Sequence, residues 1–195
     1  MFQKKENGIS IGTKTTYAVP EDFCQIFAED QSALYLLSLV LTADAEKAEQ
    51  CFVAGLDDSI HGNPVFKEWA RSWSKRMIIK NAIRLIAPVP GETAPSEVTR
   101  HASDAQNGVP NLDRWLAAVR ALNPFERFVF VLSALEGYSM QECSILLNCT
   151  RQEVVDAQAN AMKHLAGGKG TGPESIRVRK KGILAAHFLE PMPAS

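Results

Sequence analysis

The sequence predicts an all-α protein of two small helical domains joined by a flexible linker, the second a four-helix domain with a helix-turn-helix. Apolar residues recur at three- and four-residue steps in 20–86 and 112–165, as expected for helices with one buried face. Between them, residues 87–111 are rich in Pro, Gly, Ser and Thr and poor in apolar side chains. That composition is typical of a linker.

Composition excludes several classes of function. The chain has 195 residues and 46% hydrophobic content, enough to form folded cores. Its 21 basic and 22 acidic side chains give a formal charge of −1, so overall basicity gives no argument for nucleic-acid binding. The four cysteines and four histidines lack the spacing of metal ligands, and we expect neither a metal nor a cofactor. Motifs typical of enzymes are missing, and we expect no catalysis.

The sequence also predicts a cytoplasmic protein with no membrane segment. Residues 1–19 are largely polar and predict a flexible leader without a hydrophobic signal core. The longest apolar run, residues 33–43, has about half the length of a membrane-spanning helix and predicts a buried helix instead. Cysteines without a CxxC pair favour reduced thiols.

In the first predicted domain, residues 20–86, helical patterning begins after Pro20. Further helices are predicted over 44–56 and 65–86, separated by a break that includes 57–59 and 61–64. Large side chains in the last stretch follow helical spacing, which predicts a stripe facing the core: Phe66, Trp69, Trp73 and Met77.

In the second predicted domain, residues 112–165, local signals mark helix ends. Pro124 takes a first-turn position and Gly137 can close the helix that follows. Two capping boxes begin the last two helices: Ser139 with Glu142, and Thr150 with Glu153. The short turn at 148–149 between those helices predicts a helix-turn-helix. After it, residues 166–195 form a tail with a basic run at 177–181 and an apolar run at 183–189.

A Leu-x-Pro entry, a Glu-Gly hinge and a Thr cap before the last helix occur together in the second domain. The residues that carry this pattern are Ala121-Leu122-Asn123-Pro124, Glu126-Arg127, Val129-Phe130, Leu132, Leu135-Glu136-Gly137, Ser139, Glu142, Leu146-Leu147, Cys149-Thr150, Val154, Ala161 and Leu165. They resemble the second domain of extracytoplasmic-function sigma factors of bacterial RNA polymerase. LuxR-type regulators share the Gly-x-Ser-x-x-Glu step but not the Leu-Glu-Gly context.

The first domain is similar to the first domain of the same family. The matching segments are Ala33-Leu34-Tyr35-Leu36-Leu37, Leu41-Thr42-Ala43-Asp44, Ala48-Glu49 and Phe66-x-x-Trp69. In that family the first domain grips the polymerase clamp and opens DNA near the start site. The resemblance therefore implies core RNA polymerase and promoter DNA as partners, and an anti-sigma factor as a further partner.

The resemblance also implies three sets of site residues. The DNA-binding candidates of the recognition helix are Thr150, Arg151, Gln152, Val155, Gln158 and Lys163. The promoter-melting and phosphate-contact candidates are Lys67, Trp69, Arg71, Trp73, Lys75, Arg76 and Lys80. The polymerase-docking candidates are Glu49, Gln50 and Val53. For the second set, a solvated cationic face above core tryptophans is the competing interpretation.

Two departures from the family pattern motivate a second hypothesis. The family has an acidic, amide-bearing Asp-Leu-Val-Gln-Glu stretch where residues 50–54 here are Gln-Cys-Phe-Val-Ala. In the recognition helix, Arg151 and Lys163 are balanced by Glu153 and Asp156, although phosphate neutralisation supplies much of the affinity for DNA. We therefore expect either a sigma-factor-like regulator that directs polymerase to promoters or a degenerate sigma mimic. The mimic would act through protein contacts, with a compact interface between its domains.

A third hypothesis is a DNA-binding regulator that acts as a dimer and does not dock on polymerase.

Overall fold

The computed structural model describes residues 16–91 and 112–167. All regular secondary structure within these ranges is helical, which confirms the prediction of an all-α protein. Most of the predicted leader, linker and tail lies outside the described residues, including both runs of the tail at 177–181 and 183–189. We call residues 16–91 the N-terminal unit and residues 112–167 the C-terminal unit.

The N-terminal unit contains four α-helices. They are α1 (Pro20–Glu29), α2 (Gln31–Thr42), α3 (Ala45–His61) and α4 (Ala70–Ile86), with a 3₁₀ turn at Lys67–Trp69 before α4. Asp44 caps α3 by accepting a hydrogen bond from the Lys47 backbone N–H at 2.9 Å. Helix α3 therefore begins on a local signal.

The predicted break at 57–59 is wrong, because α3 continues through these residues. The Ser59 hydroxyl donates to the Gly55 carbonyl at 2.7 Å, so this buried polar group is satisfied inside the helix. The helix ends one residue before Gly62, where an added Cβ would lie 2.5 Å from the Asp58 carbonyl oxygen. Glycine is needed at that position because the chain passes too close for a side chain.

The C-terminal unit also contains four α-helices. They are α5 (Leu112–Arg120), α6 (Pro124–Phe130), α7 (Met140–Leu146) and α8 (Arg151–Gly167), and α6 continues into a π-helical turn at Val131–Leu135. Asn123 caps α6 by accepting from the Glu126 N–H at 2.8 Å, with Pro124 at the first helical position as predicted. Gly137 has a φ of +78°, the left-handed conformation expected of a glycine that closes a helix.

The core-facing stripe predicted within residues 65–86 is only partly correct. Met77 is buried, Phe66 and Trp73 are half-buried, and Trp69 is 58% exposed, so the prediction is wrong for Trp69. The reason is the 3₁₀ turn, which has three residues per turn instead of 3.6 and rotates Trp69 away from the face that α4 buries. Trp69 instead packs edge-on against Phe66, on which Tyr17 stacks.

The two units share one hydrophobic core. Helix α2 packs on α3 and α4 of its own unit and on α5 and α6 of the other. Leu41 and Ile78 belong to the same buried cluster as Phe128 and Leu132. A smaller cluster of Phe23, Ile26 and Ala70 lies beneath α1. No helix among the described residues has the length and apolar character required to cross a bilayer.

Replacing Phe128, which is fully buried in this core, with alanine is expected to lower the free energy of unfolding by about 3–5 kcal/mol. The loss combines the missing apolar contacts with the cavity left behind. Chemical denaturation followed by circular dichroism measures it. As a matched control, Ile145→Ala truncates a side chain that is 67% exposed and should change stability by less than about 0.5 kcal/mol. Equal losses in both variants would contradict the core assignment.

Candidate nucleic-acid interface

The start of α8 is fixed by a capping box, as the sequence predicts. The Thr150 N–H and hydroxyl both donate to the Glu153 carboxylate, at 2.7 and 2.8 Å, and the Glu153 N–H donates back to the hydroxyl. The Thr150 backbone bond and then its hydroxyl lower the pKa of Glu153. Asn148 in the preceding turn has a φ of +49°, which reverses the chain tightly between α7 and α8. The first turn of α8 is thus held rigidly.

The predicted DNA-contacting side chains of α8 are partly engaged inside the protein. Arg151, Gln152, Val155 and Lys163 are exposed, whereas Gln158 is half-buried and donates to the Ser133 hydroxyl at 3.3 Å. Two of the exposed side chains also have polar partners: Arg151 donates to Gln141 of α7, and Gln152 donates to Asp156 at 3.0 Å. Helix α8 therefore has an exposed surface on which Arg151 and Gln152 already have hydrogen-bond partners within the protein.

Aliphatic side chains contribute to the surface of the same helix pair. Val155 on α8 is 45% exposed and Ile145 on α7 is 67% exposed. Neither can neutralise a phosphate, so the positive charge available on α8 comes from Arg151, Lys163 and the positive end of the helix dipole.

Some of the cations predicted to contact nucleic acid around α4 are paired with carboxylates, and most of them are exposed. Three of them form ion pairs with carboxylates of other segments: Lys67 with Asp22 (3.1 Å), Arg71 with Glu29 (2.7 Å) and with Asp30, and Lys75 with Glu136 (3.4 Å). Arg76 and Lys80 are exposed. Trp69 is exposed, while Trp73 is half-buried and its indole N–H has no hydrogen-bond partner among the described residues.

The three polymerase-docking candidates lie on an exposed side of α3. Glu49 and Gln50 are exposed and Val53 is 59% exposed. The intervening Cys51 turns inward, where burial raises the pKa of its thiol to about 11 and its Sγ donates to the Ile78 carbonyl at 3.2 Å. Phe52 packs edge-on against Phe27. Residues 50–54 therefore make core contacts through Cys51 and Phe52, and they expose Gln50 and Val53 on the surface of α3.

An arginine contact between the two units was not predicted from the sequence. The Arg127 side chain, only 5% exposed, donates from Nε to the Leu41 carbonyl at 3.1 Å, across the interface. From Nη1 it donates to the carbonyls of Arg120 at 3.2 Å and Leu122 at 3.0 Å, within its own unit. Arg120 in turn donates from Nη2 to the Ala43 carbonyl at 3.0 Å. Both arginines therefore bind the carboxyl-terminal end of α2.

Electrostatics explain why a cation can be buried at this position. Burial, and then the nearby charge of Arg120, lowers the pKa of Arg127 to about 10, so the group stays protonated at neutral pH. The carbonyls at helix carboxyl ends lack partners inside the helix and carry partial negative charge. A sequence signal existed for this contact: Glu126 and Arg127 are two charged residues inside the otherwise apolar run 125–132.

Comparison with known proteins gives one structural likeness. The sigma factor RpoE, solved in complex with the anti-sigma factor NepR from Bartonella quintana, is similar to this chain with 20% sequence identity and a TM-score of 0.44. The match covers 75% of this chain and 96% of that chain. No protein-family model matches the chain, and no curated protein sequence matches it.

Thr150→Val is expected to raise the pKa of Glu153 toward its ordinary range without reaching it. The substitution removes the hydroxyl bond but keeps the backbone N–H bond, which is the larger cause of the lowered pKa. Because the folded-state pKa is depressed, this contribution to stability is present above the ordinary pKa and is lost as the pH falls through the lowered one.

An NMR titration of the Glu153 carboxyl carbon measures the shift. Glu142, whose pKa is lowered in the same way by Ser139, is the internal control and should not move. A Glu153 titration identical in the variant and the original chain would contradict the capping box.

Proposed function

We propose that this chain is a sigma-factor-like transcription regulator. Its N-terminal unit would address core RNA polymerase and melted promoter DNA, and its C-terminal unit would address an upstream promoter element through a helix-turn-helix formed by α7 and α8. The observation that carries the proposal is the capped, exposed start of α8, which presents Arg151, Gln152 and Val155 to solvent. Recognition helices contact base edges with residues near their amino-terminal end.

The surface around α4 supports the same proposal. Trp69 is 58% exposed and can stack on an unpaired base, and Arg76 and Lys80 are exposed cations one helical turn apart. The ion pairs of Lys67 and Arg71 are at the surface, where such pairs contribute only about 0.2–1 kcal/mol, so a phosphate group can displace the carboxylates.

A second candidate function is a sigma mimic that acts through protein contacts, for example with an anti-sigma factor. Two observations favour it: the units are packed together through Arg127, and the polar groups of α8 are satisfied by their own neighbours. In this case the chain would bind DNA weakly. Contact with DNA would break internal hydrogen bonds of α8, and the balanced charges of that helix would not compensate for the loss.

Arg151→Ala is expected to reduce promoter-dependent initiation by about 5- to 150-fold, the effect of losing an arginine contact of about 1–3 kcal/mol to a base. Binding to core polymerase should not change, because Arg151 lies on α8 and not on the α3 docking surface. Run-off transcription and a pulldown with bacterial core polymerase measure the two effects separately. Arg84→Ala removes the same charge outside the candidate sites and serves as the matched control.

The salt dependence of DNA binding distinguishes the two candidate functions. Binding through phosphates weakens steeply as salt rises, because counterions are released when phosphates are neutralised. A steep fall in DNA affinity, measured by fluorescence anisotropy with the polymerase complex, supports promoter recognition. If the chain neither binds core polymerase nor supports initiation, the sigma-factor proposal is wrong, and binding to an anti-sigma factor without DNA affinity would establish the mimic.

A further inference from the structure

We propose that the basic run of the tail, residues 177–181, docks in a groove between α1 and the start of α4 and neutralises the carboxylates there. Docking turns the net charge of this surface from negative to positive. The docking itself rests on the shape of the groove, its charge and the reach of the tail. Its consequence for nucleic acid rests on the proposed function.

The groove has a small apolar floor and a charged rim. Its volume is about 340 Å³, which is enough for side chains of a short segment. Ile26 and Ala70, which are both buried, lie at the floor, and the remaining lining residues are Asp22, Gln25, Glu29, Lys67, Glu68 and Arg71. Trp69 does not line the groove, so a docked segment leaves this side chain exposed.

The groove and its edge carry an excess of negative charge. Both cations are already in ion pairs with carboxylates of α1 and of the residue that follows it. Glu68 has no ion-pair partner in the part of the chain that the structure describes. Four carboxylates thus face two cations, namely Asp22, Glu29, Asp30 and Glu68 against Lys67 and Arg71. Two negative charges are left unbalanced at neutral pH.

The tail supplies the opposite charge. Residues 177–181 are Arg-Val-Arg-Lys-Lys, with four cations and no acid, so docking changes the balance at the groove from two negative charges to two positive ones. Exposed ion pairs are individually weak. However, a tethered segment has an effective concentration on the order of millimolar at a site within its reach, and this favours docking through several weak pairs.

The tail is long enough to reach the groove from the end of α8. The last turn of α8 lies against the start of α6, where Nδ1 of His164 is 3.2 Å from Oε2 of Glu126. Helix α6 contacts α2 near Leu41, and α2 begins directly after Asp30 at the edge of the groove. The 12 residues of α2 measure about 18 Å along the helix axis. Residues 168–176, between α8 and the basic run, span about 30 Å when extended.

The consequence concerns the cations that we propose for contact with phosphates. Lys67 and Arg71 are surrounded by carboxylates, which repel a phosphate group as well as pairing with the cations. Cations of the docked tail neutralise these carboxylates and remove that repulsion. Under the proposed function, the tail therefore completes the phosphate-contacting surface of the N-terminal unit without itself contacting the nucleic acid.

A paramagnetic label beside the basic run tests the docking in the full chain. Ser175→Cys carries the nitroxide, while Cys24→Ser and Cys149→Ser remove an exposed and a half-buried thiol. At low salt we expect the label to broaden the backbone amide NMR signals of Gln25 and Glu68. The broadening should disappear in about 1 M salt, where the screening length falls to about 3 Å.

Charge variants of the labelled chain identify the groove as the docking site. Glu68→Lys should lower the equilibrium constant for docking by about 1.5- to 5-fold or more, the effect of losing one exposed ion pair, and it breaks no ion pair of the described fold. Glu46→Lys makes the same change of charge on α3, outside the groove, and should leave the broadening unchanged. Reversing two cations of the tail, in Arg179→Glu with Lys180→Glu, should abolish it.

The possible outcomes separate the docking from its rivals. No broadening at low salt, or equal broadening in Glu68→Lys and the unchanged groove, would overturn the docking. Broadening of an isotope-labelled chain by a separate spin-labelled copy, without the effect inside one chain, would assign the contact to two copies and refute docking in the same chain.

A single-stranded DNA oligonucleotide then tests the neutralising role. The broadening should persist when the oligonucleotide is added. If it is lost, the tail has moved to the phosphates and the neutralising role is wrong. If the tail docks as expected but the chain supports no initiation with core polymerase, the docking stands and the sigma-factor proposal fails.

Discussion

The guanidinium of Arg127 imposes the strongest constraint on how the helices are arranged. A protonated group that is 5% exposed needs acceptors close by, and the structure supplies three backbone carbonyls from the ends of helices and their connections. Its neighbour Glu126 is also buried, with Oε2 3.2 Å from Nδ1 of His164 in the last turn of α8. The Arg127 side chain thus ties α6 to the end of α2, whereas the Glu126 Oε2 that faces α8 has no hydrogen-bond partner among the described residues.

Helix α6 can hold this position because it is buried all round. Every residue from Phe125 to Phe130 is buried, and the π-helical turn that follows keeps Val131 and Leu132 inside as well. A helix without a solvent face must pack against several neighbours at once. The continuity of the core across both units follows from this, since α2 covers a side of α6 that would otherwise expose apolar side chains.

The features that could be predicted from the sequence depend on residues close together in the chain. The capping boxes at Ser139 and Thr150 and the first-turn Pro124 involve residues at most three positions apart, so their spacing contains the whole interaction. The partners of Lys67 and Lys75 are 45 and 61 residues away, and no spacing rule connects them. The exposure of Trp69 was missed because a periodicity of 3.6 residues does not describe a 3₁₀ turn.

The ion pairs of Lys67 and Arg71 lie at the surface, whereas the hydrogen bonds of Arg127 are buried, and this difference limits which cations can contact a polyanion. Carboxylates near Lys67 and Arg71 are partly hydrated, so a phosphate group can replace them at small cost, as the proposed function requires. Arg127 cannot be used in this way, because its partners are carbonyls inside the core. The chain has no excess of positive charge, so any polyanion must compete with internal acids. Under the proposed function, access to nucleic acid would therefore depend on how the helices are packed as much as on which residues they carry.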